Sequence, residues 1–137
     1  MIRCVRLWSG PDGHSHFEEG VIDLKLDPRG DALSRKFPIA SVSFQETNAD
    51  PKLGWHPDSA RQLVVTLNGT LEFATHHGRF LLRSGDILFT EDTVAGHGRT
   101  LLGEQPCGGA SMPSLSKLPS FRFGRSTRAL PLQMLRR

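Results

Sequence analysis

The sequence predicts an all-β protein, built as an antiparallel sandwich or barrel, and three observations carry that expectation. Short apolar runs alternate with clusters of turn residues along most of the chain. Gly 14 and Pro 9 within 137 residues favour many short elements over a helical bundle. No segment carries a convincing capped helical period; the weak helical pattern of residues 59–67 is opposed by its β-branched content. The length suits one domain with a single sizeable core.

The first run, from Ile2 to Leu7, alternates loosely and stops at Ser9-Gly10-Pro11-Asp12-Gly13. A second, from His16 to Leu26, ends at Asp27-Pro28-Arg29-Gly30. A third, from Phe37 to Gln45, alternates well and stops at Thr47-Asn48-Ala49-Asp50-Pro51. Gln62 to Leu67 is β-branched and apolar, and Asn68-Gly69 follows at once. That dipeptide signals a two-residue hairpin, because a type I′ turn needs positive φ at both central residues. Thr70 to Thr75 then returns as a strand, His77-Gly78 turns, and Arg79 to Leu82 forms the next strand. Ser84-Gly85-Asp86 turns again before strands at Ile87 to Thr90 and His97 to Leu102.

Charge is distributed unevenly. Residues 1–104 hold all 14 acids and eleven of the 17 bases, a formal −3, whereas residues 105–137 hold six bases and no acid. The basic character therefore belongs to the tail, and the body has no basic stripe with interleaved aromatics; no nucleic-acid partner is expected. Residues 1–104 are read as the folded domain. Residues 105–137, rich in Ser, Pro, Gly and Arg, are read as an irregular, poorly ordered tail, and deleting residues 106–137 should leave the melting temperature nearly unchanged. No run approaches the roughly 20 apolar residues of a membrane span. The opening residues lack a signal-peptide core, so an intracellular, cytoplasmic location is expected. Cys4 and Cys107 are read as free thiols. Neither a Walker-type phosphate loop, nor G-x-G-x-x-G after a strand, nor G-x-S-x-G is present, so no nucleotide cofactor is expected.

Six histidines are the natural candidates for metal chemistry. His76 and His77 sit against a hairpin turn and are read as exposed turn residues. His14 and His16 would share a strand face, next to Glu18 and Glu19, and are read as a solvated strand end. His56 and His97 are more informative. The segment Trp55-His56-Pro57-Asp58 leads into Gln62 and Gly69, and Gly85-Asp86 precedes Glu91, Asp92, Thr93 and His97. This pattern resembles the cupin family. Its first motif, H-x-H, three or four residues, E, six residues, G, falls on His56, Asp58, Gln62 and Gly69. Its second, G, five residues, P-x-G, two residues, H, falls on Gly85, with His97 one place late and Glu91 and Thr93 replacing the proline and glycine.

The resemblance implies an antiparallel double-stranded β-helix, the cupin jelly-roll barrel, and a homodimer. It also implies a site at His56, Asp58, Gln62 and His97, where metal-binding members hold one divalent Fe, Mn, Ni or Zn. Here Asp58 stands for a histidine and Gln62 for a glutamate, leaving two readings open. One is a weakened metal centre serving dioxygenase, isomerase or lyase chemistry on a small polar organic molecule. The other is a metal-free pocket for such a molecule, or a scaffold, with Gln62 and His97 bonding each other or a water. Even parity would put Val64 and Thr66 on the same face as Gln62, with Trp55 capping or walling the pocket and Arg61 pointing outward. Glu91 and Asp92 are expected on the loop at the barrel mouth, as acidic rim residues or general acid–base groups.

Overall fold

The computed structural model describes residues 1–48, 55–103 and 106–114. Among these residues there are only strands and connections: β1 (Arg3–Ser9), β2 (Ser15–Val21), β3 (Lys25–Leu26), β4 (Ala32–Leu33), β5 (Ser43–Thr47), β6 (Gln62–Asn68), β7 (Thr70–Thr75), β8 (Gly78–Leu82), β9 (Ile87–Glu91), β10 (Gly98–Leu102) and β11 (Cys107–Pro113). Six form a large sheet in the order β2-β1-β9-β6-β11-β5, three form a small sheet β10-β7-β8, and β3 pairs with β4. The protein is all-β, as expected.

The large sheet is mixed. β1 and β9 run parallel, with Cys4 opposite Ile87 and Trp8 opposite Glu91, while the other pairs are antiparallel. The expectation of a wholly antiparallel sheet came from tight turns, and a tight turn dictates direction only between consecutive strands.

Asn68-Gly69 also departs from expectation. β6 and β7 lie in different sheets, so the dipeptide makes a corner, not a hairpin. Asn68 does not adopt positive φ, which a type I′ turn would demand, whereas Gly69 does, at 79°. Gly69 is required on packing grounds too, since a Cβ there would lie 2.7 Å from Cys107 Cα. Asn68 uses its side chain instead, Oδ1 accepting the Gly108 N–H at 2.8 Å. The return from β8 to β9 is a second sheet-to-sheet corner. The Gly85 N–H donates to Thr66 O (2.8 Å), and the Thr66 N–H donates to Asp86 O (3.0 Å). The β7–β8 hairpin forms where expected, with Thr75 opposite Gly78 across His76 and His77.

Strand alternation sorts the side chains into two apolar clusters. Val5, Leu7 and Leu88 of the large sheet meet Leu71, Phe73, Phe80 and Leu82 of the small one, so the main core lies between the sheets. Phe73 and Phe80 stack within it, their centroids 5.0 Å apart. Alternate residues Cys4, Ile87 and Phe89 point to the other face, where Leu63, Val65, Ile22 and Phe37 join them. β9 is thus covered on both faces, which is why its first three residues, Ile87-Leu88-Phe89, are all apolar. Arg3 ties the sheets together, its Nη1 donating to Leu81 O and to Asp86 Oδ2, both at 2.8 Å. Cys4 and Cys107 are buried free thiols in different clusters. Burial pushes the Cys4 thiol up to about 12.

Two segments differ from the sequence expectation. The third apolar run is a strand only from Ser43 to Thr47, with Ile39 contributing an isolated bridge to Ser114 and Phe37 covering the outer cluster. More consequentially, β11 lies beyond the boundary expected at 104 and is interior to the large sheet, paired with β5 on one side and β6 on the other. Its residues, CGGASMP, are small and carry little hydrophobic signal. Small size is what the place demands, because a Cβ on Gly109 would come within 3.1 Å of Val65 O. Residues 115–137 of the expected tail lie outside the described residues.

Candidate functional site

A cavity of about 240 Å³ lies between the sheets. β6 supplies one wall through Gln62, Val64 and Thr66, the alternate residues of a single strand face. β9 adds Leu88 and Thr90, the edge strand β5 adds Gln45 and Thr47, and the small sheet closes the apolar side with Leu71, Phe73 and Leu82. His56, Asp58 and His97 line the same cavity.

The backbones of His56 and His97 are held as an antiparallel bridge, each N–H donating to the other's carbonyl at 3.1 Å. Gly96 permits this approach: its φ is +95°, and a Cβ there would lie 3.1 Å from His56 C. The two rings stand 5.9 Å apart, centroid to centroid. They differ in environment, since His97 is 3 % exposed and His56 is solvent-exposed.

His97 is oriented from behind. Its Nδ1–H donates to Asp92 Oδ2 at 2.7 Å, which leaves Nε2 on the side of Asp58, 3.7 Å from Oδ1. Asp92 is wholly buried and also accepts from Ser9 Oγ (2.7 Å), Ser15 Oγ and the Gly96 N–H (3.3 Å). Burial alone would raise its pKa. The hydrogen bonds from Ser15, His97, Ser9 and Gly96 outweigh that and hold the carboxyl below the ordinary carboxylate range. Asp58 goes the other way. Burial is the largest influence and raises its pKa, the charge of Asp92 adds to it, and the Thr90 hydroxyl and His97 offset it only in part. One carboxylate is therefore stabilised as an anion while its neighbour is biased toward the neutral acid.

Gln62 faces the cavity, with Oε1 accepting from Ser111 Oγ of β11; it bonds this serine and not His97. Val64 and Thr66 take the expected places. Trp55 stands apart from the cavity lining: it is 58 % exposed, and its indole lies over Gly98, where a Cβ would be 2.7 Å from Nε1. Glu91 leaves the cavity to Thr90, the preceding residue of the same strand, and its carboxylate lies 3.8 Å from Arg6 Nη2. It does not reach the site as a general acid or base. Asp92 is not a rim residue either, since the loop turns inward and buries it under β1 and β2 through Ser9 and Ser15.

Arg99 also lines the cavity and was not anticipated. It lies two residues after His97 at the start of β10, so strand parity could have found it. Ser9 and Ser15 carry no such signal, being ordinary turn-flanking serines in the sequence. Away from the cavity, Asp12, His16 and His77 form the one group among the described residues in which three His, Cys, Asp or Glu ligand atoms lie within 4.8 Å of one another. His56, Asp58 and His97 do not form such a group. His97 Nε2 and Asp58 Oδ1 are spaced as two ligands of one ion could be, but His56 does not join them in a three-ligand group within 4.8 Å. The cavity residues as placed do not fit a bound metal.

Comparison with protein-family models and with curated proteins finds no match for this chain.

Proposed function

We propose that this chain is a small cupin-type protein, its two sheets the halves of a jelly roll, that binds a small polar organic molecule carrying an anionic group in the cavity between them. The observation carrying this reading is the Asp92–His97 pair, a buried imidazole fixed at Nδ1 with Nε2 left toward a cavity that Arg99 also lines. A pocket with apolar walls and a few fixed polar groups is the usual form of a small-molecule site. Arg99 supplies the charge an anionic ligand needs, and His97 and Asp58 place further polar atoms against the cavity. The ligand is held without a metal, since the cavity donors do not converge on one point.

The test is a thermal-shift screen of small carboxylic and hydroxy acids on the full chain. Ligands that raise the melting temperature should lose their effect in Arg99→Ala and in His97→Ala. Hits indifferent to both changes would refute the site. A second reading, a metal-dependent enzyme using His56, Asp58 and His97, draws on the spacing of His97 and Asp58 alone. Stoichiometric Fe, Mn, Ni or Zn in untagged protein, lost on His97→Ala, would establish it over the metal-free one.

A further inference from the structure

Two turns from different sheets bring a second polar group together on the surface. Asp12 stands in the turn between β1 and β2, which is closed by the Gly10 N–H to His14 O (2.8 Å) and the Gly13 N–H to Gly10 O (3.1 Å). His16 follows on β2, its ring stacked against Trp8 across the strand pair at 5.7 Å between centroids. Gly10 leaves the room that ring occupies, because a Cβ there would lie 2.4 Å from His16 Nε2. His77 comes from the β7–β8 turn of the small sheet, where its N–H donates to Thr75 Oγ1 at 3.2 Å. The His16 and His77 rings stack at 4.2 Å, and each Nε2 lies 2.9 Å from a different oxygen of Asp12.

We propose that Asp12, His16 and His77 bind one Zn(II) ion, in a site separate from the cavity and independent of what the cavity holds. Two imidazole nitrogens and a carboxylate oxygen form a donor set that Zn(II) accepts, with a fourth position left for water. The ion has no d-electron preference in geometry, which suits ligands carried on two turns. Tetrahedral coordination sets ligand–ligand separations near about 3.3 Å, given the usual Zn–N and Zn–O lengths, and the three ligand atoms already lie within 4.8 Å of one another. The ion would take the place of the hydrogen bonds that now join each Nε2 to Asp12, the ring proton of each neutral imidazole moving to Nδ1. His16 belongs to the large sheet and His77 to the small one, so the metal would clip the sheets together and stabilise the folded state over the unfolded.

Zn(II) alone, titrated calorimetrically into the untagged, chelator-treated full chain, should bind at one equivalent and raise the melting temperature. His77→Ala and Asp12→Asn should each weaken binding at least about tenfold, the scale on which a metal site responds to loss of a supporting contact. His97→Gln, in the cavity, should leave the affinity unchanged. Absence of saturable binding overturns the proposal. So does binding that His97→Gln abolishes and the two surface changes leave intact, since that places the metal in the cavity.

Discussion

Asp92 and Asp58 show how two carboxyl groups beside one imidazole take opposite characters. Asp92 accepts from two hydroxyls, an imidazole and a backbone N–H, and these hydrogen bonds exist only in the folded chain. Its folded pKa is depressed. Its contribution to stability is therefore present above the unfolded carboxyl value, near 3.9, and is lost as pH falls through the lower folded value. Asp92→Asn removes the ionised acceptor and leaves buried donors poorly satisfied, at a cost of roughly 1–3 kcal/mol at neutral pH, measurable by denaturant unfolding. Asp58 has a raised folded pKa, so its ionised form destabilises the fold above that value, and the penalty fades as pH falls through it toward the unfolded value. Asp58→Asn should accordingly raise the melting temperature at neutral pH and remove that component of its pH dependence. At this scale the sequence was half legible. The cupin resemblance implied His56, Asp58, Gln62 and His97, which line one cavity, and parity singled out Val64 and Thr66. The depth of Asp92 was not legible, because its burial depends on two serines from the other end of the chain. Nor was the Asp12 group, whose members read separately as two turn residues and a solvated strand end.

At the scale of elements, local signals held where consecutive strands pair and failed where the chain changes sheet. His76 and His77 join neighbouring strands of one sheet, and the hairpin was legible. Asn68-Gly69 carries an equally strong local signal, but β6 pairs with β9 and β11 and leaves β7 to the other sheet. Gly69→Ala tests that corner: the new Cβ meets the Cys107 backbone at positive φ, so it should destabilise by more than about 1 kcal/mol, where a glycine in an unstrained loop would gain from the change. β11 was illegible for a related reason, its small residues being selected by close contact with β6 and not by hydrophobicity. Deleting residues 106–137 removes this interior strand and leaves β5 and β6 without their shared partner. The truncated chain should lose its cooperative thermal transition, contrary to what composition alone suggests; an unchanged melting temperature would show that the sheet closes without β11.

For the whole molecule, the large sheet ends on β2 at one side and on β5 at the other, and the β5 edge is the more apolar on its outer face. β5 ends the large sheet, with β11 on one side and no further strand among the described residues on the other. Gln45 and Thr47 face the cavity, so alternation turns Phe44 outward, where it is 77 % exposed; Leu67 of β6, on the face away from the cavity, is 54 % exposed. An open edge flanked by apolar side chains invites pairing with another chain, and a two-fold partner meets it with the same surface. We propose a homodimer formed through β5, in line with the assembly the cupin resemblance implies. Light scattering should give twice the chain mass, and Phe44→Lys should shift the population to monomer while leaving the fold intact, because Phe44 takes part in neither apolar cluster. A monomeric mass for the unaltered chain at high concentration would show that this edge is tolerated without a second copy.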